Sequence, residues 1–157
     1  MPNYKGHLAG GAAAFAITLK ITTSLWNTPT ITQIPLCLGI CMLGSIFPDI
    51  DVKSKMQRLF YIAATFFLMG TIFYQLWALF FVATGLILLI SGLQHRTLTH
   101  NIFFLISLPA LIILYISFKN KDLFGPSLLL YSYFVSGTLS HVILDRLVTA
   151  FNKLVRK

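Results

Sequence analysis

The residues of this chain that could do chemistry are its histidines and aspartates, and they occur in a few short clusters. All four histidines and three of the four acidic residues belong to these clusters, and the chain contains no glutamate. Imidazole nitrogens and carboxylate oxygens together are typical ligands of Zn²⁺, Mn²⁺ and Fe²⁺. The sequence therefore predicts a metal centre formed by seven candidate ligands: His7, Asp49, Asp51, His95, His100, His141 and Asp145.

His141 and Asp145 have the most informative spacing of the set. They are four residues apart, which on a helix brings both side chains to one face, one turn apart, as two ligands of a single ion require. The alternative is an aspartate that accepts a hydrogen bond from a buried histidine in the absence of any metal.

Asp49 and Asp51 follow Pro48, which predicts the end of the second helix. In an extended segment, residues two apart point to the same side, so both carboxylates could bind or bridge a hard cation. The alternative is a solvated loop end whose charge is neutralised by Lys53 and Lys55.

His95 and His100 are five residues apart, which is about 140° around an ideal helix. Both could bind one ion only in a loop or at an irregular helix start, which Thr97 or Thr99 could cap. Arg96 has a guanidinium suited to a headgroup phosphate or another bound anion. A simple lipid-headgroup anchor is the alternative interpretation of this arginine.

His7 lies just before the predicted first helix, beside Tyr4 and Lys5. A histidine at a membrane interface needs no special role, so metal binding and simple solvation both explain this residue. Seven candidate ligands exceed the three or four of one catalytic zinc ion, which leaves room for one or two ions. Zn²⁺ fits this ligand set best, and Mn²⁺ or Fe²⁺ are alternatives.

The amino-acid composition indicates the environment of the fold that must position these candidate ligands. Of the 157 residues, 57% are hydrophobic and only 10% are charged, whereas an average soluble domain is roughly 25% charged. The mean hydropathy is +0.82. These values exclude a soluble globule and a disordered chain. We expect a single integral membrane domain over residues 1–157, in which Cys37 and Cys41 pack in the interior and form no redox pair or disulfide.

Apolar blocks approaching the roughly 17–25 residues of a membrane span define the expected helices. The uncharged run after Arg58 would be about 55 Å long as one helix, which is too long for one crossing, and Tyr74 and Gln75 divide it. Lys20 dilutes the block at 8–25, which is either a span or an interfacial helix. The predicted fold is an all-α bundle of about six transmembrane helices, over residues 8–25, 31–47, 59–74, 76–93, 102–118 and 127–145.

The basic residues predict the orientation of this bundle. Six passes put nine of the twelve basic residues on one side and two on the other, with Lys20 inside a span. The positive-inside rule then places both termini, and all the ligand clusters, at the cytoplasmic face. Because orientation explains the net charge of +8, we expect membrane lipids as partners and no nucleic acid. Small residues near the N-terminus predict close helix packing there: Gly6, Gly10, Gly11 and Ala12 to Ala14.

Three strings of the sequence carry a resemblance to a known family. They are Gly44-Ser-Ile-Phe-Pro-Asp-Ile-Asp51, His95-Arg-Thr-Leu-Thr-His-Asn101 and Ser140-His-Val-Ile-Leu-Asp145, with His7 upstream. The chain resembles the membrane-bound metal-dependent hydrolases of the YdjM type, also called LexA-binding inner-membrane-associated hydrolases. The resemblance covers nearly the whole chain and implies a multi-helix protein of a bacterial or archaeal inner membrane. A relation of the family to zinc-dependent phospholipase C enzymes implies phosphoester substrates.

The expected activity is hydrolysis of a phosphoester or lipid-type substrate at the cytoplasmic interface, through a metal-activated water. Asp51 would act as the general base, and Arg96 would stabilise the negative charge of the transition state. One alternative is a metal-binding membrane protein without catalysis, with a regulatory or partner-binding role. A transporter is a further alternative, but it needs ionisable residues near the bilayer midplane, and Lys20 is the only formal charge inside a span.

Overall fold

A computed structural model describes residues 4–25, 28–49, 55–75, 77–92 and 101–155 of the chain. These residues form six α-helices and two short 3-10 helices, Phe47–Asp49 and Lys121–Leu123, and no strand occurs among them. The prediction of an all-α fold with six helices is therefore confirmed for the described residues. The α-helices are α1 (Tyr4–Leu25), α2 (Ile34–Ile46), α3 (Lys55–Phe73), α4 (Trp77–Gly92), α5 (Ile102–Lys119) and α6 (Phe124–Val155).

Two helical segments of the described part of the chain are long and apolar enough to cross a membrane. They are Lys5–Leu25 and the 35-residue segment Lys121–Val155, and three further apolar helices are shorter. The largest departure from the predicted boundaries is at the end of α6, which was expected to stop near residue 145 and continues to Val155. Residues 146–155 contain neither proline nor glycine, so nothing in this segment interrupts the helix.

Contacts between Cα atoms divide the chain into two compact units. One unit comprises Met1–Pro48 together with His100–Lys157, and the other comprises Asp49–Thr99. The first unit therefore contains α1, α2, α5 and α6, and the second contains α3 and α4.

The core of the first unit lies where α1, α2 and α6 pack together. Its buried side chains are Cys37 and Cys41 of α2 and Leu129 and Tyr133 of α6. Both cysteines are free thiols, so the prediction that they pack in the interior is confirmed. Two buried hydroxyls of this core are paired between helices, since those of Thr22 and Tyr133 are 3.0 Å apart.

Glycines allow these three helices to approach so closely that larger residues would collide. A Cβ atom added at Gly137 of α6 would overlap the main-chain carbonyl of Cys41 and lie 2.9 Å from the backbone nitrogen of Ser45. A Cβ atom at Gly11 of α1 would lie 2.6 Å from the hydroxyl of Ser45, and one at Gly10 would overlap a methyl group of Leu144. The predicted close packing at Gly10 and Gly11 is therefore confirmed.

Helix α5 packs against α6 and is linked to it by a hydrogen bond from the Tyr131 hydroxyl to the carbonyl oxygen of Ile106, at 3.2 Å. The helix begins at Ile102, and the side chain of Asn101 accepts a hydrogen bond from the backbone N–H of Phe103, at 2.9 Å. Asn101 is thus the N-cap. Thr97 and Thr99, the caps expected for an irregular helix start at His95–His100, lie outside the described residues.

The second unit consists of α3 and α4, which pack against each other. The chain turns between them at Tyr74 and Gln75, where the backbone N–H groups donate to the carbonyls of Gly70 and Ile72. Gln75 has a φ angle of 55°, in the left-handed region that ends a helix. The predicted break of the long apolar run at these two residues is confirmed.

Candidate metal centre

His141 and Asp145 occupy adjacent turns of α6, on the side that faces α1 and α2. Their four-residue spacing places Nε2 of His141 3.4 Å from Oδ2 of Asp145. The imidazole is completely buried, whereas 17% of the carboxylate side chain is exposed. The expectation that these two side chains lie on one helix face is confirmed, and the carboxylate lies at the more accessible edge of the pair.

His7 joins this pair from the first turns of α1. Its ring stacks on that of His141, with ring centroids 3.9 Å apart and an angle of 17° between the planes. Nε2 of His7 lies 3.7 Å from Oδ1 of Asp145. Only 1% of His7 is exposed, so this residue is part of the interior and not a solvated interfacial histidine.

The main chain of α2 fixes the orientation of the His141 ring. Nδ1 of His141 is 2.8 Å from the carbonyl oxygen of Ser45. Since a carbonyl oxygen can only accept, Nδ1 carries a proton and donates it to this hydrogen bond. In the neutral imidazole the lone pair is then on Nε2, the atom that faces Asp145. Metal-bound histidines commonly have this arrangement, in which one nitrogen binds the ion and the other donates to a carbonyl or carboxylate.

The three side chains form a compact group of metal-ligand atoms. One ligand atom from each of His7, His141 and Asp145 lies within 4.8 Å of the other two. Oδ1 of Asp145 is buried and accepts no hydrogen bond from the residues that the structure describes. A carboxylate oxygen that faces imidazole nitrogens in a buried site is favourable when a cation lies between them. The group could therefore hold a metal ion.

Comparison with known proteins identifies the family of the chain. The model of the YdjM inner membrane protein family matches residues 1–151, which is nearly the whole chain. The chain belongs to this family. No curated protein and no solved structure matched the chain. The YdjM family is one of inner membrane proteins, and the matched residues include the three candidate ligands His7, His141 and Asp145.

Of the other candidate ligands of this YdjM-family chain, the structure describes Asp49 alone. Asp49 is described, but it ends the 3-10 helix Phe47–Asp49, so the expected extended conformation is wrong at this position. Pro48 ends the α-helix as predicted, yet the chain continues to turn there instead of straightening. Four of the predicted site residues lie outside the described residues: Asp51, His95, Arg96 and His100.

Two contributors to the centre were missed by reasoning from the sequence. One is the carbonyl oxygen of Ser45, which every residue type possesses, so no side-chain pattern could reveal its role. The other is Gly11, whose missing side chain makes room for Ser45. A signal for Gly11 did exist, because small residues at this part of α1 predicted close contact with another helix.

Proposed function

We propose that this YdjM-family protein is a membrane-embedded, metal-dependent hydrolase that acts on a phosphoester or lipid-type substrate. The observation that carries the proposal is the donor set of His7, His141 and Asp145, with ligand atoms within 4.8 Å of one another. Three protein ligands leave a coordination position open for water or substrate, which is typical of catalytic and not of structural zinc sites.

Each of the three residues would have a different role in binding the ion. His141 enters with its ring fixed by the Ser45 carbonyl, and His7 is held against it by ring stacking. Asp145 supplies negative charge and, through its exposed fraction, the side of the site that water and substrate can reach. When bound, a divalent transition metal supplies the Lewis acidity that makes water a nucleophile near neutral pH.

Two nitrogen ligands and one oxygen ligand suit Zn²⁺ best, and Mn²⁺ or Fe²⁺ would also fit. A second ion would draw on the remaining candidates, which are Asp49, Asp51, His95 and His100. In the same proposal, Asp51 acts as general base and Arg96 stabilises the charge that develops on the substrate.

The position of the ligands along their helices supports a substrate from the membrane interface. His7 lies in the first turns of α1, and His141 lies about 26 Å along α6 from its first residue. A bilayer core is about 30 Å thick, so a membrane-spanning α6 would carry His141 and Asp145 close to one surface of that core. An amphiphile could present its headgroup there. We propose that this is the cytoplasmic surface and that both termini face the cytoplasm, because nine basic residues fall on that side.

The first experiment is to purify the protein in mild detergent and measure its bound metal by elemental mass spectrometry. We expect at least one equivalent of a transition metal, lost in His141→Ala and in Asp145→Ala. Asp122→Ala is the matched control, because Asp122 is an exposed acid on the 3-10 helix Lys121–Leu123 and should retain the metal. Absence of metal from the wild type even after reconstitution with Zn²⁺ would overturn the proposal.

The second step is a screen for hydrolysis of phospholipids and soluble phosphoesters by the metal-loaded protein. We expect turnover that disappears in His141→Ala and in Asp145→Ala and that added Zn²⁺ does not restore in either variant.

One specific observation favours a different function, a metal-binding membrane protein with a regulatory or partner-binding role. Both histidines are buried almost completely, as they are in closed structural sites. Stoichiometric metal without turnover on any substrate class would support that second function.

A further inference from the structure

The C-terminal third of α6 extends beyond the length that a membrane span needs. The helix runs without interruption for 32 residues, from Phe124 to Val155. This corresponds to about 48 Å, roughly 18 Å more than the hydrocarbon core of a bilayer. The excess follows the ligand Asp145 and consists of residues 146–155, which we call the C-terminal extension of α6.

The extension is amphipathic and is exposed almost throughout its length. Leu147, Phe151 and Leu154 are spaced four and three residues apart, so they share one face of the helix. They are 60%, 65% and 73% exposed, respectively. Large apolar side chains exposed to this degree in a row require an apolar environment that the described residues of the protein do not supply.

This apolar face continues a face that is already exposed along the preceding part of the helix. Leu139 and Ile143 precede Leu147 at intervals of four residues, and both are also exposed. In a membrane-spanning α6, these two side chains would contact acyl chains. The apolar face of the extension therefore continues a lipid-facing surface into the headgroup layer.

The charges of the extension are all of one sign. Arg146 and Lys153 are exposed and are seven residues apart, which brings them to the same side of the helix, next to the apolar face. No acidic residue occurs in 146–155, and the sequence continues with Arg156 and Lys157. A basic face beside an apolar face is the pattern of helices that bind anionic bilayer surfaces.

We propose that the C-terminal extension of α6 binds the headgroups of anionic lipids at the membrane face that carries the metal centre. A tilted α6, about 48 Å long, keeps the extension within the headgroup layer of a bilayer that is about 40–45 Å thick in total. The apolar face then meets the upper acyl chains, and Arg146 and Lys153 contact lipid phosphates. A lipid explains both the continuity of the apolar face and the uniform charge. This surface goes beyond the proposed hydrolase activity, since it would bind headgroups with or without catalysis. It begins at the residue that follows the candidate ligand Asp145.

Lipid preference of the full-length protein is the direct test. The protein is reconstituted in phosphatidylcholine bilayers, and the association of spin-labelled phosphatidylglycerol is compared with that of spin-labelled phosphatidylcholine. We expect a preference for phosphatidylglycerol that weakens in high salt. The Arg146→Gln/Lys153→Gln variant should lose on the order of fivefold in this preference for each charge removed. The matched control Lys20→Gln/Lys121→Gln removes the same charge from exposed lysines elsewhere and should keep most of it.

The contact of the apolar face with acyl chains is tested by the accessibility of spin labels. A spin label is placed at Phe151→Cys, on the apolar face, and at Asn152→Cys, which lies 100° around the helix. The native cysteines are buried and should remain unlabelled. We expect oxygen to reach position 151 preferentially and a water-soluble nickel complex to reach position 152 preferentially.

Equal access of the nickel complex to both positions, or an unchanged lipid preference in Arg146→Gln/Lys153→Gln, would overturn the proposal. Equal access of the nickel complex would indicate that the apolar face is exposed to water and binds a protein partner instead of the bilayer. The bound metal is measured in the same preparations and should be unchanged in the double variant. A failure of lipid binding is thereby distinguished from a failure of the metal centre.

Discussion

At the scale of single residues, Asp145 connects the two histidines of the centre. Each of its carboxylate oxygens faces a different imidazole, with Oδ1 3.7 Å from His7 and Oδ2 3.4 Å from His141. These separations exceed ordinary hydrogen-bond lengths for nitrogen and oxygen, which are roughly 2.7–3.2 Å. The three side chains are thus arranged around a common point, at separations that an ion between them would suit.

Replacement of His7 distinguishes a ligand from a residue that only packs. We expect His7→Phe to preserve the stacked ring on His141 and to remove the nitrogen donor. Bound metal should therefore fall by at least tenfold, while the melting temperature of the metal-free protein changes little. Elemental mass spectrometry and a thermal unfolding assay make the two measurements. If His7→Phe keeps its full metal content, His7 is a packing residue and does not bind the metal.

Gly11 offers a way to disturb the centre without touching any ligand. An alanine there would press on Ser45, whose carbonyl orients His141. We expect Gly11→Ala to weaken metal binding, measured by competition with a chelator, because the His141 ring would lose its alignment. Gly39→Ala is the matched control, since nothing lies within 4 Å of the added methyl group. Equal metal affinity in both variants would contradict this positioning role.

At the scale of helices, the contact of α1, α2 and α6 determines which residues can meet. Gly10 packs on Leu144, and these residues lie three positions after His7 and His141, respectively. This close contact between α1 and α6 is therefore within one turn of the candidate ligands His7 and His141. Gly137 allows a similar approach of α6 to the backbone of α2. Small residues thus set the helix register that brings ligands from distant parts of the chain together.

A hydrogen bond between α1 and α6 should add to this packing by a modest amount. The Thr22 hydroxyl donates to the carbonyl of Leu19 at 3.1 Å and is 3.0 Å from the Tyr133 hydroxyl, which can therefore donate to it. We expect a double-mutant cycle of Thr22→Val and Tyr133→Phe to give a coupling of about 0.6 kcal/mol, as is average between membrane helices. Tyr115→Phe, at an exposed tyrosine of α5, should be neutral. A coupling near zero would show that the pair contributes no net stability.

At the scale of the whole molecule, the sequence predicted the helices better than the site. The long charge-free run and the residues Tyr74 and Gln75 were sufficient to place the turn between α3 and α4, because crossing length limits a helix in a bilayer. The four-residue spacing of His141 and Asp145 was also sufficient to predict that their side chains lie on one helix face. By contrast, position alone could not separate a buried His7 from a solvated one, since that depends on how α1 packs. The conformation at Asp49 was also missed, because proline ends an α-helix without excluding a 3-10 turn.

The predicted orientation can be tested with single cysteines at the two ends of α6. Asp122→Cys should react with a membrane-impermeant maleimide in intact cells, whereas Asn152→Cys should react only after the membrane is opened. Both native residues are exposed, and wild-type protein, with Cys37 and Cys41 buried, gives the background. Reaction of both positions from the same side would show that α6 does not cross the membrane.

The distribution of the ligands along the chain has a consequence for biogenesis. His7 belongs to α1 and is therefore synthesised well before His141 and Asp145, which belong to α6. At a synthesis rate of about 5–20 residues per second, α6 would emerge from the ribosome on the order of ten seconds after α1. If these three residues hold a metal ion as proposed, the ion can be captured only after α6 has docked against α1. Metal loading would then mark the completion of assembly, and chains truncated before His141 would remain without metal however long they stay in the bilayer.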